Sequence, residues 1–208
     1  MGIRRCSALF WDRVAPLYDL AVNTLNRRVY YGTGSAVARL IHPGDTVLEC
    51  ACGTGAITAA IAPTCASVVA TDYSEGMLKQ AGKKLARYPN VVVEQADITH
   101  LRYADNSFDA VVAGNVIHLL PEPGDALKEL KRVTRPGGTI IVPTYVIPKK
   151  RAHTIFLKLI SRCGIHFQEH FDPASYRAFF ERMGYVHVTY RVVRGRIPCV
   201  IASFTKEY

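Results

Sequence analysis

One stretch, residues 46–55, constrains the fold more than any other part of the chain. Its sequence, TVLECACGTG, places a short apolar run typical of a buried strand before an acid, Glu49. A glycine turn over residues 53–55 follows, and the alanine-rich run 56–62 is typical of a closely packed helix. A strand, a glycine turn and a helix in this order place backbone N–H groups and a positive helix end beside a ligand. Glycines in such a turn let a bulky ligand approach the backbone.

A second segment strengthens this interpretation. Residues 67–72 form another apolar run that ends in an acid, Asp72, which lies 17 positions after Gly55. An acid at the tip of the second strand is where the two hydroxyls of a ribose are bound. Asp72 can alternatively serve as the N-cap of the helix that begins near Ser74.

The motifs around these strands occur over roughly residues 10 to 145: VLECACGTG (47–55), DYSEGM (72–77), QADI (95–98), SFDAVV (107–112) and RPGG (135–138). In this order and spacing the chain resembles the class I S-adenosylmethionine (SAM)-dependent methyltransferases, in the group that includes the ubiquinone and menaquinone biosynthesis methyltransferases. Ala51 departs from the pattern, because the family often has the first glycine of the turn there. An alanine fits this position if its φ stays negative.

The resemblance implies SAM as the cofactor and S-adenosyl-L-homocysteine as the product. It implies that Asp97 accepts a hydrogen bond from the adenine amino group while Ile98 packs on the ring. An Ala-x-x-Tyr-Asp pattern at residues 15–19 makes Tyr18 a candidate contact of the cofactor or the substrate. Core packing competes as an account of Tyr18 and Met77, and Asp97 can also begin the turn toward Thr99. The candidate cofactor-binding residues are Tyr18, Glu49, Ala51, Gly53, Thr54, Gly55, Asp72, Tyr73, Met77, Asp97, Ile98 and Asn115.

His118 is the candidate catalytic residue. Residues 108–114 read as the fourth strand, which delivers residues 115–118 to the floor of the cleft, where ligands bind in this architecture. The unperturbed pKa of histidine lies near 6.5, which suits a general base, although a lone histidine can equally be structural. His166 and His170 are further candidates for a base. A metal site between these two histidines and Glu169 is not expected, because the segment lacks a clear helical period.

Alternating strands and helices predict an α/β fold with a parallel sheet. The predicted architecture is a doubly wound, Rossmann-like, seven-stranded and mostly parallel sheet, with helices on both faces and an antiparallel C-terminal hairpin. The hairpin strands are predicted at residues 185–193 and 197–204, and the resemblance implies the strand order 3-2-1-4-5-7-6. Near the N-terminus, helices are predicted over residues 7–25 and 35–41, with a turn at 30–34.

We predict a single methyltransferase domain over residues 1–208. Its parts are a helical cap (1–45), a SAM-binding core (46–145), a substrate-side lid (146–172) and a C-terminal helix with the hairpin (173–208). No apolar run approaches the roughly 20 residues of a membrane span, and no signal peptide is expected. The six cysteines form no Cys-x-x-Cys pair, so we expect reduced thiols in a cytoplasmic protein.

The net charge of +9 is unevenly distributed. Residues 46–145 hold nine Lys/Arg and ten Asp/Glu, whereas residues 146–208 hold eleven and four. Residues 149–162 contain five Lys/Arg and no acid, with apolar residues at helical spacing, and are predicted as a basic amphipathic helix. This excess suggests an anionic substrate or peripheral contact with an anionic membrane, or else an ordinary solvated surface.

The sequence therefore favours methyl transfer from SAM to a small-molecule or lipid-like acceptor. A nicotinamide-dependent dehydrogenase is disfavoured because Thr58 occupies the third glycine position of its fingerprint. An RNA methyltransferase and a non-catalytic SAM- or nucleotide-binding module with a basic docking surface remain alternatives. Nucleic acid is a less favoured partner because no Asn-Pro-Pro-Tyr-type motif and no added RNA-binding domain is present.

Overall fold

A computed structural model describes residues 2–147 and 170–207 of the chain, with side chains from residue 9 onward. The basic helix predicted at residues 149–162, most of the predicted lid segment, His166 and Glu169 lie outside the described residues.

Seven strands form one sheet: β1 Thr46–Cys50, β2 Ser67–Asp72, β3 Val91–Gln95, β4 Phe108–Ala113, β5 Thr134–Tyr145, β6 Thr189–Val193 and β7 Cys199–Thr205. Their order is β3-β2-β1-β4-β5-β7-β6. The first five strands pair in parallel, whereas β7 pairs antiparallel with both β5 and β6. The predicted fold class, strand order and C-terminal hairpin are confirmed. The carboxyl ends of the parallel strands meet at one edge of the sheet, where this architecture places its ligands.

Helices follow the strands along the chain: α1 Gly2–Ala38, α2 Ala56–Ile61, α3 Glu75–Leu85, α4 Pro123–Val133 and α5 Pro173–Arg182. Two short 3₁₀ turns, Ala62–Thr64 and Ile117–Leu119, complete the regular structure of the described residues. Side chains cap α3 and α5: the Ser74 hydroxyl accepts a hydrogen bond from the Met77 N–H, and Asp172 forms a capping box with Ser175.

The sheet separates two apolar cores because neighbouring residues of a strand point to opposite faces. Val47 joins the core shared with α1, α2 and α3, whereas Leu48 joins the core shared with α4 and α5. Ile140 and Ile141 of β5 divide in the same way. The helices therefore cover both faces of the sheet, as predicted.

The structure corrects the prediction for the N-terminal region. The turn predicted at residues 30–34 is wrong, because α1 runs from Gly2 to Ala38 with its one non-helical residue at Asn26. Gly34 was taken as a turn residue, but a Cβ there would lie 2.8 Å from the Cβ of Ala60. The glycine therefore allows α1 to pack closely on α2. The strand β5 starts at Thr134 and includes the RPGG motif at 135–138.

Candidate active site

A cleft lies at the carboxyl ends of β1, β2 and β4, with α1 contributing Trp11 and Tyr18 to its wall. Eleven of the twelve predicted cofactor-binding residues line this cleft: Tyr18, Glu49, Ala51, Gly53, Thr54, Asp72, Tyr73, Met77, Asp97, Ile98 and Asn115. Gly55 does not line it, because it ends the turn and faces the side chain of Leu85. Residues that are distant in sequence therefore meet where the strand ends converge.

The turn between β1 and α2 is held in left-handed backbone conformations. Ala51, Gly53 and Gly55 have φ values of 55°, 56° and 80°. The negative φ on which the fit of Ala51 depended is not observed, and a non-glycine residue in this conformation costs roughly 1–2 kcal/mol. A Cβ at Gly53 would meet no atom within 4 Å, whereas one at Gly55 would lie 2.8 Å from Leu85 Cδ1. The backbone at Gly53 is therefore open to a ligand.

Asp72 braces this turn. Its Oδ2 accepts a hydrogen bond from the Gly53 N–H at 2.8 Å, and its Oδ1 accepts one from the Ser74 N–H at 2.9 Å. The N-cap of α3 is Ser74, so the alternative role of Asp72 as the cap is not observed. Burial raises the pKa of Asp72, although the backbone N–H groups oppose this shift. Asp72 thus presents a carboxyl group to the cleft from a fixed position.

Glu49 is the most deeply buried acid of the cleft, with 1% of its surface exposed. The Thr58 hydroxyl donates a hydrogen bond to its Oε2 at 2.5 Å. No Lys, Arg or His within residues 9–147 and 170–207 forms an ion pair with this carboxyl group. Burial, reinforced by the nearby charge of Asp72, raises the pKa of Glu49 to about 8. A cationic ligand in the cleft would supply the charge that Glu49 lacks.

A polar cluster that the sequence did not reveal ties α1 to the glycine turn. Asp19 accepts hydrogen bonds from the hydroxyls of Thr54 at 2.5 Å and Tyr30 at 2.7 Å. It also forms an ion pair with Lys84 of α3 at 2.6 Å. These contacts lower the pKa of Asp19 against the effect of its burial. The Ala-x-x-Tyr-Asp pattern directed attention to Tyr18, but no sequence signal indicated Lys84.

Asp97 begins a turn after β3 and also lines the cleft. Its Oδ1 accepts hydrogen bonds from the N–H of Thr99 at 2.9 Å and from the hydroxyl of the same residue at 2.7 Å. The carboxyl group therefore begins the turn after β3 and also faces the cleft. Asn115, just after β4, has a φ of 52° and lines the cleft beside Gly114.

The structure does not support His118 as a general base. Its side chain is 5% exposed and is not part of the cleft wall, although Val116 and Leu119 are. Burial, with a smaller contribution from His170, lowers the pKa of His118 to about 4. The residue lies in the 3₁₀ turn Ile117–Leu119, which directs it into the protein. We therefore interpret it as a core histidine that is neutral at pH 7.

The sequence and the fold match known proteins. Residues 48–142 match the family model described as a methyltransferase domain. A demethylmenaquinone methyltransferase from Clavibacter sepedonicus is 37% identical in an alignment 164 residues long that covers 74% of this chain and 65% of the relative. A ubiquinone/menaquinone biosynthesis C-methyltransferase UbiE from Bdellovibrio bacteriovorus is 38% identical over 137 residues, 64% of this chain and 58% of the relative. The chain thus spans about three fifths of these curated relatives.

The chain is thus similar in sequence to SAM-dependent methyltransferases. Solved structures agree on the fold. One chain of a complex containing the Haloferax volcanii Trm112 methyltransferase activator superimposes with a TM-score of 0.79 at 18% identity, covering 97% of both chains. A SAM-dependent methyltransferase from Aquifex aeolicus gives 0.67 at 21% identity, covering 93% of this chain and 97% of that one. The cofactor of this family is SAM.

The residues of the cleft fit this cofactor. SAM carries an ammonium group, a sulfonium, a ribose diol and an adenine amino group. The cleft offers buried Glu49 to a cation, the open backbone at Gly53 to a bulky ligand, and acceptor oxygens at Asp72 and Asp97. Carboxylates are suitable hydrogen-bond acceptors for the ammonium, the ribose hydroxyls and the adenine amino group.

The rest of the wall is apolar and aromatic. Beyond β4 the cleft is bounded by Val116, Leu119, Leu120 and Pro121. Tyr145, at the end of β5, and the α1 residues Trp11 and Tyr18 also line the cleft. Burial raises the pKa of Tyr18 to about 12 and raises that of Tyr145 as well, so both phenols are neutral at pH 7. Such a wall suits a flat, apolar molecule.

In the part of the chain that the structure describes, no three His, Cys, Asp or Glu side chains are grouped as a metal site. Cys50 and Cys52 are buried beside the glycine turn, and burial raises the pKa of both thiols. Among the described helices, none has the length and apolar character needed to cross a bilayer.

Proposed function

We propose that this chain transfers the methyl group of SAM to a small, apolar, ring-containing acceptor. The observation that carries the proposal is the composition of the cleft. Its β1–β2 side offers an open glycine turn and buried carboxyl groups, and its β4–β5 side offers mainly apolar and aromatic side chains, with Asn115 and Thr33 as polar exceptions. A cationic nucleoside suits the first half, and a flat apolar ring suits the second.

For the cofactor, we assign Glu49 to the ammonium group, Asp72 to the ribose hydroxyls and Asp97 to the adenine amino group. Met77 and Ile98 are both buried and line the adenine side of the cleft. SAM supplies an electrophilic methyl group on a sulfonium. The helix α1, held by Asp19, closes this side of the cleft and keeps water from the bound cofactor.

For the acceptor, we assign the wall formed by Val116, Leu119, Leu120 and Pro121 with Trp11, Tyr18 and Tyr145. These side chains orient a ring and exclude water, and orientation of two reactants can lower a barrier by roughly 7–11 kcal/mol. The relatives named as demethylmenaquinone methyltransferases point to a quinone-type ring carrying an apolar chain. A lipid-like acceptor of this class matches the apolar wall.

The competing functions lack structural support. A dinucleotide fingerprint would place glycine where Thr58 donates its hydrogen bond to Glu49, so this position already serves another contact. No feature of the described residues favours a flipped nucleobase over an apolar ring.

A SAM-turnover screen tests the proposal. The purified chain is incubated with SAM and with pools of demethylmenaquinol analogues, phenols, amines and thiols, and products are identified by mass spectrometry. We expect a methylated quinol and formation of S-adenosylhomocysteine. The variant Tyr145→Ala changes the acceptor wall, so it should lower turnover of the quinol while SAM still binds. SAM binding without methylation of any pool would contradict the catalytic proposal and favour a binding module.

A further inference from the structure

The face of α1 that points away from the cleft exposes leucines. Trp11 and Tyr18 line the cleft, whereas Leu9, Leu17 and Leu20 are 57%, 66% and 68% exposed. Spacings of eight and three residues place these leucines on one side of a helix. Singly exposed apolar side chains are normal, but a row of them along one helix face marks an interaction surface.

The charges of α1 are sorted between its two faces. Beyond residue 8 the helix has two acids, and both are turned inward: Asp12 accepts the Gly76 N–H at 2.8 Å, and Asp19 is paired with Lys84 at 2.6 Å. Arg13, by contrast, is exposed and lies among the leucines in helical spacing. The outward face therefore combines apolar side chains with a cation.

A cluster of arginines lies beyond Asn26, where α1 is kinked. The side-chain amide of Asn26 donates to the Ile197 carbonyl at 2.8 Å and accepts from its N–H at 3.3 Å, which fixes the β6–β7 turn on α1. A Cβ at Gly195 would lie 2.3 Å from Val29 Cγ2, so the two segments touch. Four exposed arginines flank this contact: Arg27, Arg28, Arg194 and Arg196. Within residues 9–147 and 170–207 none of them forms an ion pair.

We propose that the exposed leucines of α1 and the arginine cluster form one surface that rests on an anionic lipid bilayer. Interfacial helices combine an apolar face with cations in this way, the apolar side chains entering the acyl boundary while the cations stay at the phosphates. A nucleic acid would use the arginines but would leave the leucines without a partner. Because Trp11 and Tyr18 lie on the opposite side of the same helix, α1 would lie between the bilayer and the cleft.

Vesicle co-sedimentation of the full chain tests this surface, without cofactor or acceptor, so its result is independent of the proposed function. The vesicles are phosphatidylcholine with or without phosphatidylglycerol. One variant is Arg194→Gln with Arg196→Gln, and the other is Leu17→Ser with Leu20→Ser. The matched controls are Arg102→Gln with Lys131→Gln for the charge, and Val92→Ser, at the far sheet edge, for the apolar side chain.

We expect binding to the anionic vesicles, weakening with salt as surface charges are screened. Each cation at an anionic surface contributes a roughly fivefold gain in partitioning, so the double arginine variant should bind about 30-fold more weakly. The leucine variant should bind the anionic vesicles at least about tenfold more weakly, since burial of each leucine in the bilayer favours binding. The controls should bind like the parent, and all variants should bind SAM with unchanged affinity, which verifies their folding.

Three results would overturn the proposal. The first is equal binding to neutral and anionic vesicles, or to neither. The second is parent-like binding by both the arginine and the leucine variants. The third comes from fluorescence anisotropy with a single-stranded RNA oligonucleotide: RNA binding that the arginine variant loses and the leucine variant keeps, without vesicle binding, would assign the cluster to nucleic acid.

Discussion

Replacement of Glu49 by glutamine gives the sharpest prediction. The carboxyl group is 1% exposed, has one hydroxyl donor and lies near the Asp72 carboxyl group. Its pKa rises from 4.5 in the reference state to about 8 in the folded protein. The folded state therefore holds this proton more tightly than the unfolded state, and stability falls as the pH rises from about 4.5 to about 8. At pH 7 this loss of stability amounts to about 3 kcal/mol relative to acidic solutions in which Glu49 is protonated in both states.

Glu49→Gln removes this pH-dependent cost. In the absence of ligand we expect the variant to unfold at a higher urea concentration at pH 7, with the gain shrinking toward pH 4.5. Glu94→Gln, an exposed glutamate on β3, is the matched control and should show no such gain. The two unfolding free energies should be measured by urea titration between pH 4.5 and pH 8. An identical pH dependence in the parent and in Glu49→Gln would refute the assignment of a buried, protonated carboxyl group.

Binding of SAM should favour ionisation of Glu49, the opposite of what burial alone does. The cation favours the ionised carboxyl group, so at pH 7 binding should release about 0.9 proton from Glu49. Calorimetry in buffers of different ionisation enthalpy measures this number. Glu49→Gln should lose the Glu49 share of the release and bind SAM about 10- to 100-fold more weakly, since a charged hydrogen bond is lost. Unchanged proton release by the variant would show that Glu49 does not meet the cation.

Three further substitutions test individual side chains. Ala51→Gly should raise the free energy of unfolding by up to about 1 kcal/mol, because relief of the left-handed strain exceeds the entropy cost of glycine; thermal denaturation checks this. His118→Asn should keep quinol turnover within about threefold, whereas loss of a general base would lower turnover about 10²–10⁴-fold. The substitution should also remove the loss of stability below about pH 6.5 that a buried histidine with a pKa near 4 causes. Lys84→Met should lower the unfolding free energy by about 1–3 kcal/mol in urea titrations by leaving Asp19 without its cation, while Lys83→Met should not.

The strands and the cleft could be predicted because they depend on local patterns, whereas the strand order was implied by the family resemblance. Buried strands such as 67–72 are apolar and end in polar residues, and the parallel order brings the polar ends to one edge. Asp72 and Glu49 were placed in the cleft by this rule alone. Such a rule needs no knowledge of which helix packs on which.

The positions that the sequence did not predict are determined by tertiary packing. The glycines at 32 and 34 indicate a turn when considered locally, but close packing against Ala60 and Val193 keeps them in α1. The direction of His118 is set by a single 3₁₀ turn, which sequence spacing does not resolve. Tyr145 and Trp11 reach the cleft from the end of β5 and from α1, so only the folded chain brings them together.

The central claim is that the strand-end carboxyl groups form a SAM site, and a calorimetric titration tests it most directly. SAM, S-adenosylhomocysteine and NAD are titrated into the parent, into Asp72→Ala and into Asp105→Ala, an exposed aspartate outside the cleft. We predict one SAM site in the parent, competition by S-adenosylhomocysteine and no heat with NAD. Asp72→Ala should bind SAM about 10- to 100-fold more weakly, because hydrogen bonds to the ribose hydroxyls are lost. Unchanged SAM affinity in Asp72→Ala, or preferential binding of NAD, would contradict the account.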